Sequence, residues 1–109
     1  MQKQYRVRKN EEFSKIISEK HSVASAGFVV YFSDRKEEHA RVGISVSKKL
    51  GDAVERNRIK RQVREMVKAV TDFEACGKDL IIIVRKPYLE RPFSENKKDL
   101  ETAIKKAII

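Results

Sequence analysis

The chain has no tryptophan, one cysteine, two prolines and four glycines in 109 residues, and each shortage closes off a class of protein. With Cys76 alone no internal disulfide can form, so a disulfide-stapled scaffold is excluded and a reducing cytoplasm is the expected home. Cys76 has no CxxC partner and no nearby histidine, so a structural role is expected for it rather than a reactive one. There is no linker, low-complexity tract or internal repeat, and residues 1–109 read as one domain. The longest apolar run, Leu80 to Val84, is far too short to span a bilayer, and no membrane role is expected. The N-terminus lacks the apolar stretch of a secretory signal. Histidine is scarce too: His21 and His39 lie in loops with no third partner, and Glu37 and Glu38 read as a solvated connector. No catalytic residue and no metal ligand is therefore expected on the protein itself.

What the chain has in excess is positive charge. Lysine and arginine number 25 against 16 acidic residues, a net charge of +9 that calls for a polyanionic partner. The excess is concentrated. Lys48, Lys49, Arg56, Arg58, Lys60, Arg61, Arg64 and Lys68 face only Asp52, Glu55 and Glu65 within one stretch. At 3.6 residues per turn, Ile59, Val63, Met66, Val67 and Val70 share one side of a helix. Asn57, Arg58, Arg61, Arg64 and Lys68 share the other, with Lys60 at the border and Arg56 near the apolar flank, where it can pack or pair with Glu55. The cations recur without the acidic i+4 partners of an ordinary solvated helix, and arginine's planar fork suits phosphate. Lys48 and Lys49 sit in the turn before this helix, where free N–H groups favour anions.

Around that helix the spacing predicts a mixed α/β string. Residues 1–9 read as extended, anchored by Tyr5 and Val7. Asn10 is placed as N-cap of a helix carrying Phe13, Ile16 and Ile17 and running to about Lys20. Gly27–Ser33 and Arg41–Ser47 read as strands, the second alternating Val42, Ile44 and Val46 with Gly43, Ser45 and Ser47. That small-residue side admits close packing. Asp52, with Glu55 three residues on, marks a capping box and a helix from Ala53 to Val70–Asp72. Leu80–Arg85 reads as a central strand covered on both faces. Ser94 is placed as cap of a last helix with Leu100, Ala103, Ile104, Ala107 and Ile108 on its buried side. The fold class is α+β, an αββαβα sandwich with a mixed sheet.

Arg56-Asn57-Arg58-Ile59-Lys60-Arg61, following Gly43-Ile44-Ser45-Val46-Ser47-Lys48-Lys49, resembles the signature of the bacterial ribonuclease P protein subunit. The segments Tyr5–Phe13, His21–Ala24, Phe28–Tyr31 and Asp79–Pro87 resemble the same family in the same order, covering nearly the whole chain. The resemblance implies a ribosomal-protein-like fold with a left-handed βαβ crossover, although general chirality favours the right-handed form. It implies a ribonucleoprotein endoribonuclease that removes the 5′ leader of precursor tRNA, with the active site and the Mg²⁺ ions carried chiefly by the RNA. Its partners would be ribonuclease P RNA and precursor tRNA, with no obligate protein partner. It assigns the basic helix to the catalytic RNA. It gives Phe13, Ile17 and Tyr31 to the single-stranded leader, Ile17 standing where relatives often carry a second aromatic. From the residues alone, a ribosomal or ribosome-assembly protein uses such a basic helix equally well. A DNA-binding reading lacks the supporting helix of a helix-turn-helix.

Overall fold

A computed structural model describes residues 2–109. Helix α1 (Asn10–Ser18) leads into strands β1 (Ser22–Ala24), β2 (Phe28–Asp34) and β3 (Val42–Ser45). A 3₁₀ turn (Lys48–Leu50) then precedes α2 (Ala53–Val70), β4 (Lys78–Val84) and α3 (Phe93–Ile108). The long helix starts and stops where its caps and period predict, and the Asp52 carboxylate accepts from the Glu55 N–H at 2.9 Å. Only half of the capping box forms, because the Glu55 carboxylate turns to Arg58 instead. The other two caps fall elsewhere. Lys9 and Pro92 occupy the N-cap positions, so Asn10 and Ser94 lie inside the first turns of α1 and α3. Ile108 is also more exposed than its stripe position implies, since α3 ends there.

The predicted αββαβα order gains one strand, β1. It is three residues long, with Ser22 and Ala24 exposed and Val23 half-buried, too short for any period to register, and it pairs with β2 (Ser22 opposite Tyr31). The sheet order is β1-β2-β4-β3, antiparallel except for β3 and β4, which lie parallel and are joined through α2. Strand β4 is thus central, which explains its unbroken apolar run.

Alternation sorts the sheet into two faces. Phe28, Val30, Val42, Leu80, Ile82 and Val84 join the main core with Ile59, Val63, Met66 and Val67 of α2 and Leu100, Ala103, Ile104 and Ala107 of α3. The opposite face carries three cross-strand rows read off the register: Ser33–Asp79, Tyr31–Ile81–Gly43 and Val29–Ile83–Ser45. Arg41 extends the first row, its N–H donating to Asp79 Oδ1 at 2.9 Å. Helix α1 packs on this face against β2 and β4, forming a second, smaller core of Val7, Ile16 and Ile81 flanked by Phe13, Ile17, Tyr31 and Ile83.

Gly43 permits that seat. A Cβ built on it would lie 2.5 Å from Phe13 Cζ and 2.8 Å from Ile81 Cδ1, so the Phe13 ring rests on bare backbone. The small-residue side of β3 therefore admits the chain's own aromatic. Gly43→Ala should push the ring off the sheet and destabilise the fold by about 1–3 kcal/mol, the usual cost of overpacking. Urea unfolding midpoints measure this; an unchanged midpoint would mean that Phe13 does not press on Gly43.

Candidate nucleic-acid interface

Helix α1 covers only part of its face of the sheet. Glu12 and Phe13 sit over the rows containing Arg41 and Gly43, while the row Val29–Ile83–Ser45 stays half-exposed. That half-exposed row and Tyr31, with Phe13 and Ile17 beside them, are the candidate groove. All three groove residues singled out from sequence are partly buried and belong to one cluster. Their rings and methyls are held in place rather than free to rotate, which suits stacking of an unpaired base. Beyond Ser45 the chain continues directly through Ser47 into Lys48 and Lys49, both exposed, so the open end of the groove runs towards cations. The Lys49 N–H donates to Ser47 Oγ at 3.2 Å, fixing this turn.

The second surface is the outer face of α2. Asn57, Arg58, Arg61 and Lys68 are exposed, and Lys60 is half-buried as its border position implies. Arg56 is also half-buried, with Nε 3.4 Å from the Asp52 carbonyl oxygen. The carboxylate partner expected for Arg56 goes to Arg58: Glu55 Oε2 is 2.8 Å from its Nη2, and this hydrogen bond raises the Arg58 pKa. The face therefore does contain one i,i+3 acid–base pair, at a spacing where such exposed pairs are weak. Arg64 departs from the outward position given by its helical angle. It is half-buried in a cleft of about 450 Å³ lined by Arg6, Arg61, Arg64, Glu65 and Lys68. Burial, and then the charge of Arg6, lowers its pKa.

Two positioning features leave no pattern in the sequence. Arg41 bridges Glu12 Oε2 at 2.6 Å and Asp79 Oδ2 at 3.4 Å, tying α1 to the central strand. The one available signal was Asp79 standing at the head of an apolar run. Arg6 reaches the α2 face only because the N-terminal segment docks beside β3, a tertiary event that no period announces. Of the loop residues, His21 stacks on Phe32 and His39 meets the edge of Tyr5, which is itself stacked on Phe73. Among the described residues no three of His, Cys, Asp and Glu are gathered as a metal site, and no helix is long and apolar enough to cross a membrane.

The family model described as Ribonuclease P matches residues 1–108. The chain is 45% identical to the ribonuclease P protein component of Bacillus cereus over 108 residues, covering 98% of this chain and 94% of that protein. Among solved structures, the Staphylococcus aureus RNase P protein superposes with a TM-score of 0.83 at 42% identity, over 96% of this chain and 98% of that one. The Thermotoga maritima RNase P protein gives a TM-score of 0.79 at 31% identity, over 93% and 96%.

Replacing Arg61 and Arg64 together by Ala should weaken binding to a structured RNA while leaving the core stripe of α2 untouched. For every phosphate no longer neutralised, the log–log salt dependence should become shallower by roughly 0.7–0.9. Binding titrations across a salt series read this directly. An unchanged slope would make the face a solvated surface and nothing more.

Proposed function

The chain belongs to the ribonuclease P protein family, and from that footing we propose that it serves in removal of the 5′ leader from precursor tRNA. In this reading it binds the catalytic RNA through α2 and the unpaired leader through the groove beside α1. The observation that carries the reading is the pairing of two unlike surfaces on one small fold. One is a cationic helix suited to folded RNA, and the other is a floor of Tyr31, Val29, Ile83 and Ser45 suited to bases without a partner strand. A ribosomal protein needs the first surface only.

The chemistry itself is assigned to the RNA. The two histidines are engaged in aromatic packing, Asp52 and Glu55 already hold the Glu55 N–H and Arg58, and Glu65 stands among Arg6, Arg61, Arg64 and Lys68. In this reading Mg²⁺ is held chiefly by the RNA, where it would polarise the scissile phosphate and activate the attacking water. The protein's part is positional. Lys48, Lys49, Arg56, Asn57, Arg58, Lys60, Arg61, Arg64 and Lys68 neutralise and orient the RNA backbone. Phe13, Ile17 and Tyr31 hold the leader away from the cleavage point, and that remote binding aligns the reacting bond. Catalytic RNA and precursor tRNA are the partners, with no obligate protein partner, and the free thiol of Cys76 suits a reducing cytoplasm.

Precursor and mature tRNA differ by an unpaired leader, so the test lies in that difference. With bacterial ribonuclease P RNA and Mg²⁺, the wild-type chain should support leader cleavage at low ionic strength and give tighter binding of precursor than of mature tRNA. Tyr31→Ala should lose about ten-fold in precursor affinity, since stacking is worth roughly 1–3 kcal/mol per base. Its mature-tRNA affinity should hardly change. Tyr31→Phe keeps the ring and should behave as wild type, and a thermal melt confirms that each variant is folded. Leader recognition by this groove is wrong if folded Tyr31→Ala still discriminates precursor from mature tRNA as wild type does.

A further inference from the structure

Residues 3–9 are anchored at several points. Tyr5 stacks on Phe73 with ring centroids 4.6 Å apart, and its hydroxyl donates to Glu74 at 2.6 Å. Val7 is buried, its N–H donates to the Val42 carbonyl at 3.1 Å, and Arg6 bridges Val42 in parallel fashion. The backbone on both sides of Arg6 is therefore fixed, and its side chain enters the cleft that Arg61, Arg64 and Lys68 line from α2. Four cations share that cleft with one carboxylate, Glu65. Among the described residues none of the four is in a salt bridge, whereas Arg41, Arg58, Lys78 and Arg91 all are. Arg6 Nε is shielded from solvent without an acceptor.

Four like charges gathered against a single carboxylate raise the energy of the free protein. A buried N–H without an acceptor adds to that cost. Both costs are removed by an anion placed between the two elements. Arginine forks on opposite walls suit an anion with several oxygens in a plane or tetrahedron better than a single chloride. Arg6 also lines the neighbouring cleft of about 680 Å³ with Lys3, Arg8 and Lys9, so the cationic surface continues across the segment.

We infer that Arg6 and Arg64, with Arg61 and Lys68, form a two-walled clamp for backbone phosphate of the catalytic RNA, one wall being the docked N-terminal segment and the other α2. The clamp rests on the RNA-binding reading above and makes it more specific. Helix α2 alone offers a convex row of charges; the segment turns that row into a concave site. Arg6 thereby extends the basic signature to a residue some fifty positions earlier in the chain.

The test is a double-mutant cycle on the full chain binding bacterial ribonuclease P RNA over a salt series. Arg6→Gln should weaken binding roughly five- to ten-fold and shallow the salt slope by roughly 0.7–0.9, as Arg64→Gln should. Because both hold the same phosphate, the double variant should lose clearly less than the product of the single losses. Arg6→Lys should retain most of the slope. The free protein supplies an independent readout: removing a repelling charge should leave the melting temperature of Arg6→Gln unchanged or raise it, opposite in sign to its effect on RNA binding. Should Arg6→Gln undock the segment and melt lower, Arg6→Met, which keeps the apolar stem, repeats the cycle. Wild-type RNA affinity in Arg6→Gln, or strictly multiplicative losses, would overturn the clamp. If Arg61→Ala/Arg64→Ala still weakens binding in that case, RNA binding by α2 stands without the clamp. If it does not, both fail together.

Discussion

Arg41 holds the first helix to the sheet, and the proposed leader groove depends on where that helix sits. Asp79 is wholly buried at the head of the central strand, and Arg41 gives it both a backbone N–H and a guanidinium while reaching Glu12 on α1. Burial works against the Arg41 charge, yet the two carboxylates outweigh it and its pKa is raised. Leaving buried Asp79 without its partner would cost about 3–5 kcal/mol, so Arg41 is held on the sheet, from where it reaches Glu12 of α1. With Glu12 pinned at one corner and Phe13 seated on Gly43, α1 lies over two rows of the sheet and leaves the third half-exposed. The groove is the part of the sheet that this ionic tie leaves uncovered.

The two surfaces divide the physics between them. Phosphate contacts proposed for α2 would be long-ranged, salt-sensitive and indifferent to base identity, which suits a permanent union with one large RNA. Stacking proposed for the groove would be short-ranged and tolerant of sequence, which suits leaders of many kinds. Neither proposed surface needs a titrating side chain, and the two histidines are in aromatic contacts.

Much of this was legible in the residues. The 3.6-residue period and Asp52 gave α2 within a residue, and the apolar run gave β4 its central place, because both signals are local. Cap identity was less legible: Asn10 and Ser94 have the right chemistry, but the chain turns one or two residues earlier, at Lys9 and Pro92. Strand β1 was invisible because Ser22, Val23 and Ala24 become a strand only against β2. The small face of Gly43 and Ser45 signalled close approach, without saying that Phe13 of the same chain would fill half of it. The assignment of Phe13, Ile17 and Tyr31 to one groove came from family resemblance, and the fold brings all three into one cluster. Arg6 and the Arg41 bridge were out of reach, since each rests on contacts between segments distant in sequence.

The central claim is that the exposed row beside α1 reads an unpaired strand. The most direct measurement is the affinity of the reconstituted ribonucleoprotein for precursor tRNAs whose leaders are lengthened one nucleotide at a time, set against the catalytic RNA alone. A groove of finite length should make affinity rise over the first several nucleotides and then level off, and only when the protein is present. Affinity that ignores leader length, or that follows it equally without the protein, would contradict the account.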